Sequence, residues 1–139
     1  MSHIQGNINT KFPKKERLSS KKLIKELFLK GSSFYLYPLK VIYLPNVAAE
    51  SPVHQVLFSV PRKKFKRAVD RNFLKRRMRE AYRLNKTCLS QNISGPPLLI
   101  AFIYIGKEKC TFAVLDSKLK HAFRRLDEEV KTNQNTASS

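Results

Sequence analysis

The residues best suited to chemistry are concentrated between Pro61 and Lys86. This stretch holds twelve lysine and arginine residues and only two acidic residues, in a chain whose formal net charge is +18. A soluble surface needs no such excess, because mixed charges keep a protein dispersed without self-repulsion. Arginine carries a planar fork of donors that binds phosphate in a bidentate manner, whereas lysine acts as a point charge. The stretch therefore predicts an anionic partner, either a nucleic acid or an anionic membrane surface.

Helical periodicity organises the second half of this stretch. Its apolar residues recur at spacings of three and four and share one helix face: Leu74, Met78, Ala81 and Tyr82. The opposite face collects polar and basic residues, which are Asn72, Lys75, Arg76, Arg79 and Arg83. An ordinary basic surface helix is the simpler alternative, but charge this dense is rarely so one-sided. We therefore predict a helix that is anchored by its apolar face and presents arginines outward.

The same stretch resembles the protein subunit of bacterial ribonuclease P. The resemblance rests on SVPRKKFKRAVDRNFLKRRMREAYR, from Ser59 to Arg83, with matches at Ala68, Val69, Arg71, Asn72, Lys75, Arg76, Arg79 and Glu80. Two positions depart from the family pattern. Phe73 stands where the second arginine of an Arg-Asn-Arg triplet is usual, which weakens one expected RNA contact. Phe65-Lys66-Arg67 replaces a commoner Lys-x-Gly turn, which changes the shape of the basic loop but keeps its charge.

The resemblance implies a function and two RNA-binding surfaces. Such proteins assist a catalytic RNA that removes the 5′ leader of precursor tRNA, and Mg²⁺ in the RNA active site activates the attacking water. Contacts to the catalytic RNA are implied for Arg67, Arg71, Asn72, Lys75, Arg76, Arg79 and Arg83. A cleft between the first helix and the sheet would take the single-stranded leader, and its implied residues are Ile24, Phe28, Tyr43, Ser59, Arg62 and Lys63. Core packing remains the alternative for Ile24 and Phe28.

The chain itself carries no recognisable catalytic or metal-binding motif. Its three histidines are scattered, and its two cysteines, Cys88 and Cys110, lack a metal-binding or redox spacing. We therefore expect two free thiols, no catalytic residue, and no metal or cofactor held by the chain alone. There is no apolar run long enough for a membrane span and no apolar core of a secretion signal at the start. These features predict a cytoplasmic protein without a membrane partner.

The elements that position these residues alternate between helix and strand. Serine caps predict a first helix from Ser19 or Ser20 to Gly31. Strands are predicted at 34–44, 53–60 and 98–105, the basic helix is followed by a linker from residue 87, and a last helix covers 112–131 after a cap at Thr111. This order indicates an α+β fold, an α/β sandwich with a sheet packed by helices. The family resemblance implies the order αβββαβα with a left-handed βαβ crossover, the third strand arising from a split of one predicted strand.

The length predicts one RNA-binding domain, 16–131, between a flexible basic arm, 1–15, and a disordered tail, 132–139. The leading hypothesis is a ribonuclease P protein subunit, part of an endoribonuclease whose catalysis belongs to the RNA. Its partners would be ribonuclease P RNA and precursor tRNA, and the free protein would be a monomer. The main alternative is a non-catalytic ribosomal or structured-RNA-binding protein. A DNA-binding helix module fits less well, because no second helix precedes the basic one across a tight turn.

Overall fold

The computed structural model describes residues 12–47, 53–92 and 96–138, and the side chains of 87–92 and 133–138 are left aside. After a short 3-10 helix, Lys14–Glu16, the elements are α1 (Lys21–Lys30), β1 (Ser32–Leu36), β2 (Leu39–Pro45), β3 (Gln55–Ser59), α2 (Ala68–Asn92), β4 (Leu98–Tyr104) and α3 (Phe112–Ser138). The predicted α+β class and the order αβββαβα are confirmed. No helix within the described ranges is long and apolar enough to cross a membrane.

The four strands form one mixed sheet in the order β1-β2-β4-β3. The β1–β2 and β2–β4 pairings are antiparallel. Strands β3 and β4 pair in parallel, and the crossover helix α2 connects them along the chain. The strand predicted at 34–44 is split into β1 and β2 by a turn at Tyr37 and Pro38. The split follows from proline chemistry, because Pro38 has no N–H to donate to a strand ladder. The handedness of the crossover stays a prediction.

Side-chain alternation along the strands divides the interior into two cores. The large core lies between the sheet and helices α2 and α3, and it includes Val41, Phe58, Ile100, Phe102 and Phe123. The small core lies between the other sheet face and α1, and it consists of Leu18, Leu27, Ile42, Leu99 and Ala101. Successive residues of a strand point to opposite faces, so β2, β3 and β4 contribute to both cores, whereas the core residues of β1 lie in the large one. As predicted for β3, Val56 and Phe58 face one way and Leu57 and Ser59 the other.

Both ends of α1 lie at the predicted residues, but only the N-terminal end shows the predicted cap chemistry. The Oγ of Ser20 accepts a hydrogen bond from the backbone N–H of Leu23 at 3.3 Å. At the other end, the N–H of Gly31 donates to the carbonyl of Leu27 at 2.9 Å. Gly31 is extended, with φ −70°, so a left-handed turn does not explain the glycine. A Cβ at this position would lie 2.8 Å from Cγ2 of Ile42, and glycine therefore allows α1 to end directly against β2.

Two helices run farther than predicted. Helix α2 continues to Asn92, through the segment expected to be a linker, and α3 continues to Ser138, past the expected end at Lys131 and into the tail that composition predicts to be disordered. Neither segment contains proline or glycine, the two residues that interrupt helices most strongly. The difference therefore concerns where each helix ends, which polar composition does not determine.

Candidate nucleic-acid interface

Helix α2 is anchored by its predicted apolar face. Leu74, Met78, Ala81 and Tyr82 are all buried in the large core. The ring of Tyr82 meets Phe58 and Phe123 edge-on, at centroid distances of 5.8 and 6.0 Å. Burial of its hydroxyl raises the pKa of Tyr82, so this side chain stays neutral. The opposite face of α2 is consequently held at a fixed orientation toward solvent.

The outward face of α2 forms one side of an open groove of about 520 Å³, which we call the arginine groove. It is lined by Phe12, Arg17, Asn72, Arg76, Arg79, Glu80 and Arg83. The structure thus brings together Asn72, Arg76 and Arg79, as the helical periodicity predicts. Guanidinium groups from four residues border a single concave surface, which suits the closely spaced phosphates of a folded nucleic acid.

The arginines of this groove differ in how far their charge is offset. Arg83 donates from Nε to Oε2 of Glu80 at 3.2 Å, and this bonding raises the pKa of Arg83. Arg76 and Arg79 are exposed and make no ion pair with any carboxylate in the described part of the chain. The Nε of Arg79 donates only weakly, to the carbonyl of Lys75 at 3.4 Å, while the Lys75 side chain is half-buried. Arg76 and Arg79 are therefore the charges best placed to meet an external anion.

The N-terminal segment completes the groove, which the sequence did not predict. Phe12 meets Phe58 and Tyr82 edge-on, at 5.7 and 5.5 Å between ring centroids. Arg17 donates from Nε and Nη2 to the carbonyl of Phe12, at 3.3 and 3.2 Å. Residues 1–11 of the predicted arm lie outside the described residues, but its last part is docked. A single aromatic in a polar stretch was the only available signal, and the contacts it makes are distant in sequence.

An ion pair fastens the same segment to α2. Nζ of Lys86 lies 3.2 Å from a carboxylate oxygen of Glu16, and both side chains are largely shielded from solvent. The part of the predicted arm that the structure describes, residues 12–15, is therefore held against the folded domain. This docking places Arg17 opposite the α2 arginines and adds a cation to the groove from outside the helix.

The basic loop before α2 is held by Arg71, one of the predicted RNA contacts. Its Nη1 donates to the carbonyls of Phe65 and Lys66, at 2.9 and 2.8 Å. Phe65 is half-buried and meets Tyr104 edge-on at 5.8 Å. Phe65, one of the residues that replace the family's Lys-x-Gly turn, thus anchors the loop. One nitrogen of the Arg71 guanidinium is therefore used in hydrogen bonds within the protein. Arg67, directly before α2, is exposed.

Phe73, the other departure from the family pattern, supports two cations on the far side of α2. Its ring is half-buried against the large core, and the guanidinium of Arg77 lies 4.5 Å from the ring centroid. Nζ of Lys109 lies 5.3 Å from the same ring and 2.6 Å from Asp70. The hydrogen bond from Lys109 lowers the pKa of Asp70. In place of a phosphate-binding arginine, the chain has an aromatic that packs inward and fixes basic residues around it.

The second predicted surface, the leader cleft, lies beside α1 on the sheet face of the small core. Ile24 is half-buried against that core, whereas Phe28 is 47% exposed, which core packing would not produce. Ser59 points to the same sheet face at the end of β3. Arg62 and Lys63 follow it and are exposed. The ring of Phe28 and the two cations after β3 are therefore accessible to solvent.

Tyr43 does not belong to this surface, and its prediction is wrong. The side chain is 1% exposed, lies in the large core on the opposite sheet face, and donates from its hydroxyl to Oε1 of Glu129 at 2.9 Å. The error is one of register, because a shift of one residue along a strand exchanges the two faces. Ile42 is the β2 residue that lies beneath α1.

An arginine-lined groove on an α+β scaffold is the architecture of a nucleic-acid-binding protein. Among the residues described, no cluster of three or more His, Cys, Asp or Glu side chains could hold a metal ion. The family model for Ribonuclease P matches residues 12–127. The chain therefore belongs to the ribonuclease P protein family.

Individual relatives agree with this assignment. The "Ribonuclease P protein component" of Porphyromonas gingivalis is 35% identical over 115 residues, covering 81% of this chain and 84% of the relative. That of Chlorobium phaeobacteroides is 40% identical over 126 residues, covering 80% and 86%. The solved RNase P protein from Thermotoga maritima has a TM-score of 0.64 at 27% identity, covering 79% of this chain and 96% of that one. The Staphylococcus aureus RNase P protein, at 21% identity, supports the fold alone, with a TM-score of 0.65 over 80% and 94% of the two chains.

Membership of the family fixes the general role of the chain. It is the protein subunit of ribonuclease P, an endoribonuclease of tRNA processing, and ribonuclease P RNA is its partner. The alternative of a ribosomal or other structured-RNA-binding protein is not favoured. The arginine groove is a concave basic surface that could serve this role.

Proposed function

We propose that the arginine groove binds ribonuclease P RNA and that the leader cleft binds the single-stranded 5′ leader of precursor tRNA. The observation that carries this proposal is the grouping of Arg76, Arg79 and Arg17 around one groove. Helix α2 holds two of these cations from its buried side, and the docked N-terminal segment holds the third. A preorganised set of charges binds phosphate at a lower entropic cost than flexible side chains would.

Each residue of the groove has a distinct contribution to RNA binding. The exposed Arg76 and Arg79 donate to phosphate oxygens, and the amide of Asn72 supplies a neutral donor beside them. Arg83 is shared with Glu80 and contributes less. Neutralising closely packed phosphates releases counterions, which makes the affinity dependent on salt. Neutralisation also lowers the repulsion between RNA phosphates, which otherwise opposes compact folding of the RNA.

The leader cleft distinguishes substrate from product. The exposed ring of Phe28 and the edge of Ile24 offer apolar surface to bases without regard to their sequence. Ser59 supplies a hydroxyl, and Arg62 and Lys63 attract the backbone phosphates that follow. Mature tRNA has no leader and loses all of these contacts. Precursor therefore binds the complex more tightly than product, which favours turnover.

The chemistry of bond cleavage is proposed to lie in the RNA. The Mg²⁺ would be held by the RNA rather than by residues of this chain, and it would supply water activation for hydrolysis of the phosphodiester. The chain's own contribution is to bind and orient the leader near that centre. We further infer a cytoplasmic location, and a monomeric state for the free protein, since a net charge of +18 opposes self-association.

Reconstitution with the cognate ribonuclease P RNA tests the proposal. We expect no cleavage of precursor tRNA by the protein alone. With the RNA present, we expect a lower Mg²⁺ requirement and a preference for precursor over mature tRNA. Cleavage by a nucleic-acid-free preparation that persists through stringent repurification would overturn the assignment of catalysis to the RNA. Equal affinity for an unrelated structured RNA would instead favour a general RNA-binding protein.

A further inference from the structure

One row of side chains crosses the whole sheet on the face that carries the leader cleft. Tyr35 pairs with Lys40, Lys40 with Ile103, and Ile103 with Ser59, so the row passes through all four strands. Their strand neighbours, such as Phe34, point to the large core, which places the row on the other face. With strands about 4.8 Å apart, the row is roughly 14 Å long.

The small core beneath α1 is centred on the neighbouring rows of this face. It contains Ile42 and Ala101 from the next row along the strands and Leu99 from the row after, and Ile103 is the member of the Tyr35 row that packs against it. Tyr35 is 61% exposed, and Lys40, Ile103 and Ser59 are half-buried. The row is therefore an accessible strip that begins at Ser59, next to the proposed leader contacts, and ends at the β1–β2 hairpin.

The far end of the row has the chemistry of a single-stranded RNA site. Nζ of Lys40 lies 5.4 Å from the centroid of the Tyr35 ring, so an exposed aromatic face and a cation occur together. An aromatic face stacks on any base, and a neighbouring ammonium group attracts the adjoining phosphate. The row contains no acidic residue, and the chain is strongly positive. This charge favours RNA over a basic or neutral protein partner.

We propose that Tyr35 and Lys40 form a distal leader subsite, in which a base stacks on Tyr35 and its phosphate meets Lys40. The proposal rests on the proposed function of the cleft and extends it along the sheet. Leader nucleotides that pass Arg62, Lys63 and Ser59 continue across Ile103 to the hairpin. Affinity for precursor tRNA then rises again when the leader becomes long enough to reach Tyr35.

The test uses the reconstituted holoenzyme and precursor tRNAs whose leaders lengthen one nucleotide at a time. For the wild-type protein, we expect a second increase in affinity at a defined leader length. Tyr35→Ala removes that increase and weakens binding of long-leader substrates by about fivefold or more, the lower limit for a base–aromatic stack. Tyr35→Phe retains the ring and restores it. Lys40→Gln reduces the same increase and its dependence on salt.

Tyr37→Ala is the matched control, because Tyr37 is 62% exposed in the same hairpin but lies outside the row. It should bind all leaders as the wild type does. If the wild type prefers precursor but Tyr35→Ala behaves identically at every leader length, the subsite is refuted and the cleft remains. If the wild type shows no preference for a leader, the proposed function itself fails. Equal weakening of ribonuclease P RNA binding in the absence of tRNA would assign the row to that RNA and refute a leader subsite.

Discussion

The arginine groove and the proposed leader cleft use different means on the two sides of one sheet. The groove belongs to a helix whose opposite face is buried, and its cations are carried by side chains that reach solvent. The cleft uses alternate residues of strands and one edge of α1, so its floor is set by strand parity. Charge governs the first surface, and apolar and aromatic contact governs the second. Salt should therefore weaken binding at the groove much more than at the cleft.

The largest effect is expected from replacing Arg76 and Arg79 together by alanine. Each is an exposed charged donor, so each loss should cost about 1.5–3 kcal/mol of binding to ribonuclease P RNA. The slope of log affinity against log salt concentration should become shallower by about one for each lost phosphate contact. Filter binding across a salt series measures both quantities. Arg124→Ala, an exposed arginine on α3 outside the groove, is the control, and an unchanged slope in the double variant would exclude the groove from the interface.

A smaller effect that is confined to the cleft is expected from Phe28→Ala. Because Phe28 is half exposed, its loss should change the thermal stability little. The preference for precursor over mature tRNA should fall by about 1–3 kcal/mol, the contribution of one stacked base. Competition between precursor and mature tRNA for the holoenzyme measures this difference. Loss of stability by several kcal/mol without a change in preference would show that Phe28 acts in packing after all.

The variant Tyr43→Phe tests whether Tyr43 acts in the large core or at the proposed leader cleft. The change removes the hydroxyl that donates to Glu129 but keeps the buried ring. We expect a loss of about 1.5–3 kcal/mol in the free energy of unfolding, as for one hydrogen bond to a charged group. Denaturant unfolding measures it. The preference for a leader should stay at the wild-type level, and a reduced preference in the folded variant would contradict the placement of Tyr43 on the far face.

The contrast between the two surfaces also explains which features could be read from the sequence. The buried face of α2 and its outward arginines repeat locally, every three or four residues, so periodicity identifies them without tertiary information. The cap at Ser20 and the alternation of β3 are local in the same sense. Tyr43 was misplaced because the parity of β2 depends on where the hairpin turn falls, and Tyr37 and Pro38 set that turn.

Contacts between distant segments cannot be predicted from local sequence patterns, for a different reason. The docking of Phe12 joins the N-terminal segment to residues on β3 and α2. The role of Arg71 in holding the basic loop depends on the path of that loop rather than on any spacing. Composition indicated polar ends for α2 and α3 but could not show where each helix stops. Such features are set by packing and appear only in three dimensions.

The smallest effect concerns the sheet that both surfaces share. His54, just before β3, accepts a hydrogen bond at Nδ1 from the N–H of Leu98 at 2.9 Å. Burial lowers the pKa of His54 below its ordinary value of 6.5. As pH falls, the unfolded chain therefore binds a proton at this histidine before the folded chain does. The free energy of unfolding should decrease between about pH 6.5 and the lowered pKa of the folded state, and His54 should cause no further decrease below that pKa.

The variant His54→Asn tests this explanation, since its Oδ1 can accept from Leu98 but does not titrate. Denaturant unfolding between pH 7.5 and pH 5, a range chosen to span about a unit or more around the ordinary histidine pKa, should show a steeper loss of stability for the wild type than for the variant. Identical pH profiles would mean that protonation of His54 does not destabilise the pairing of β3 with β4. Because Ser59 and the leader cleft depend on that pairing while Arg76 and Arg79 are anchored through α2, mild acid should weaken the preference for a leader before it weakens salt-dependent binding of ribonuclease P RNA.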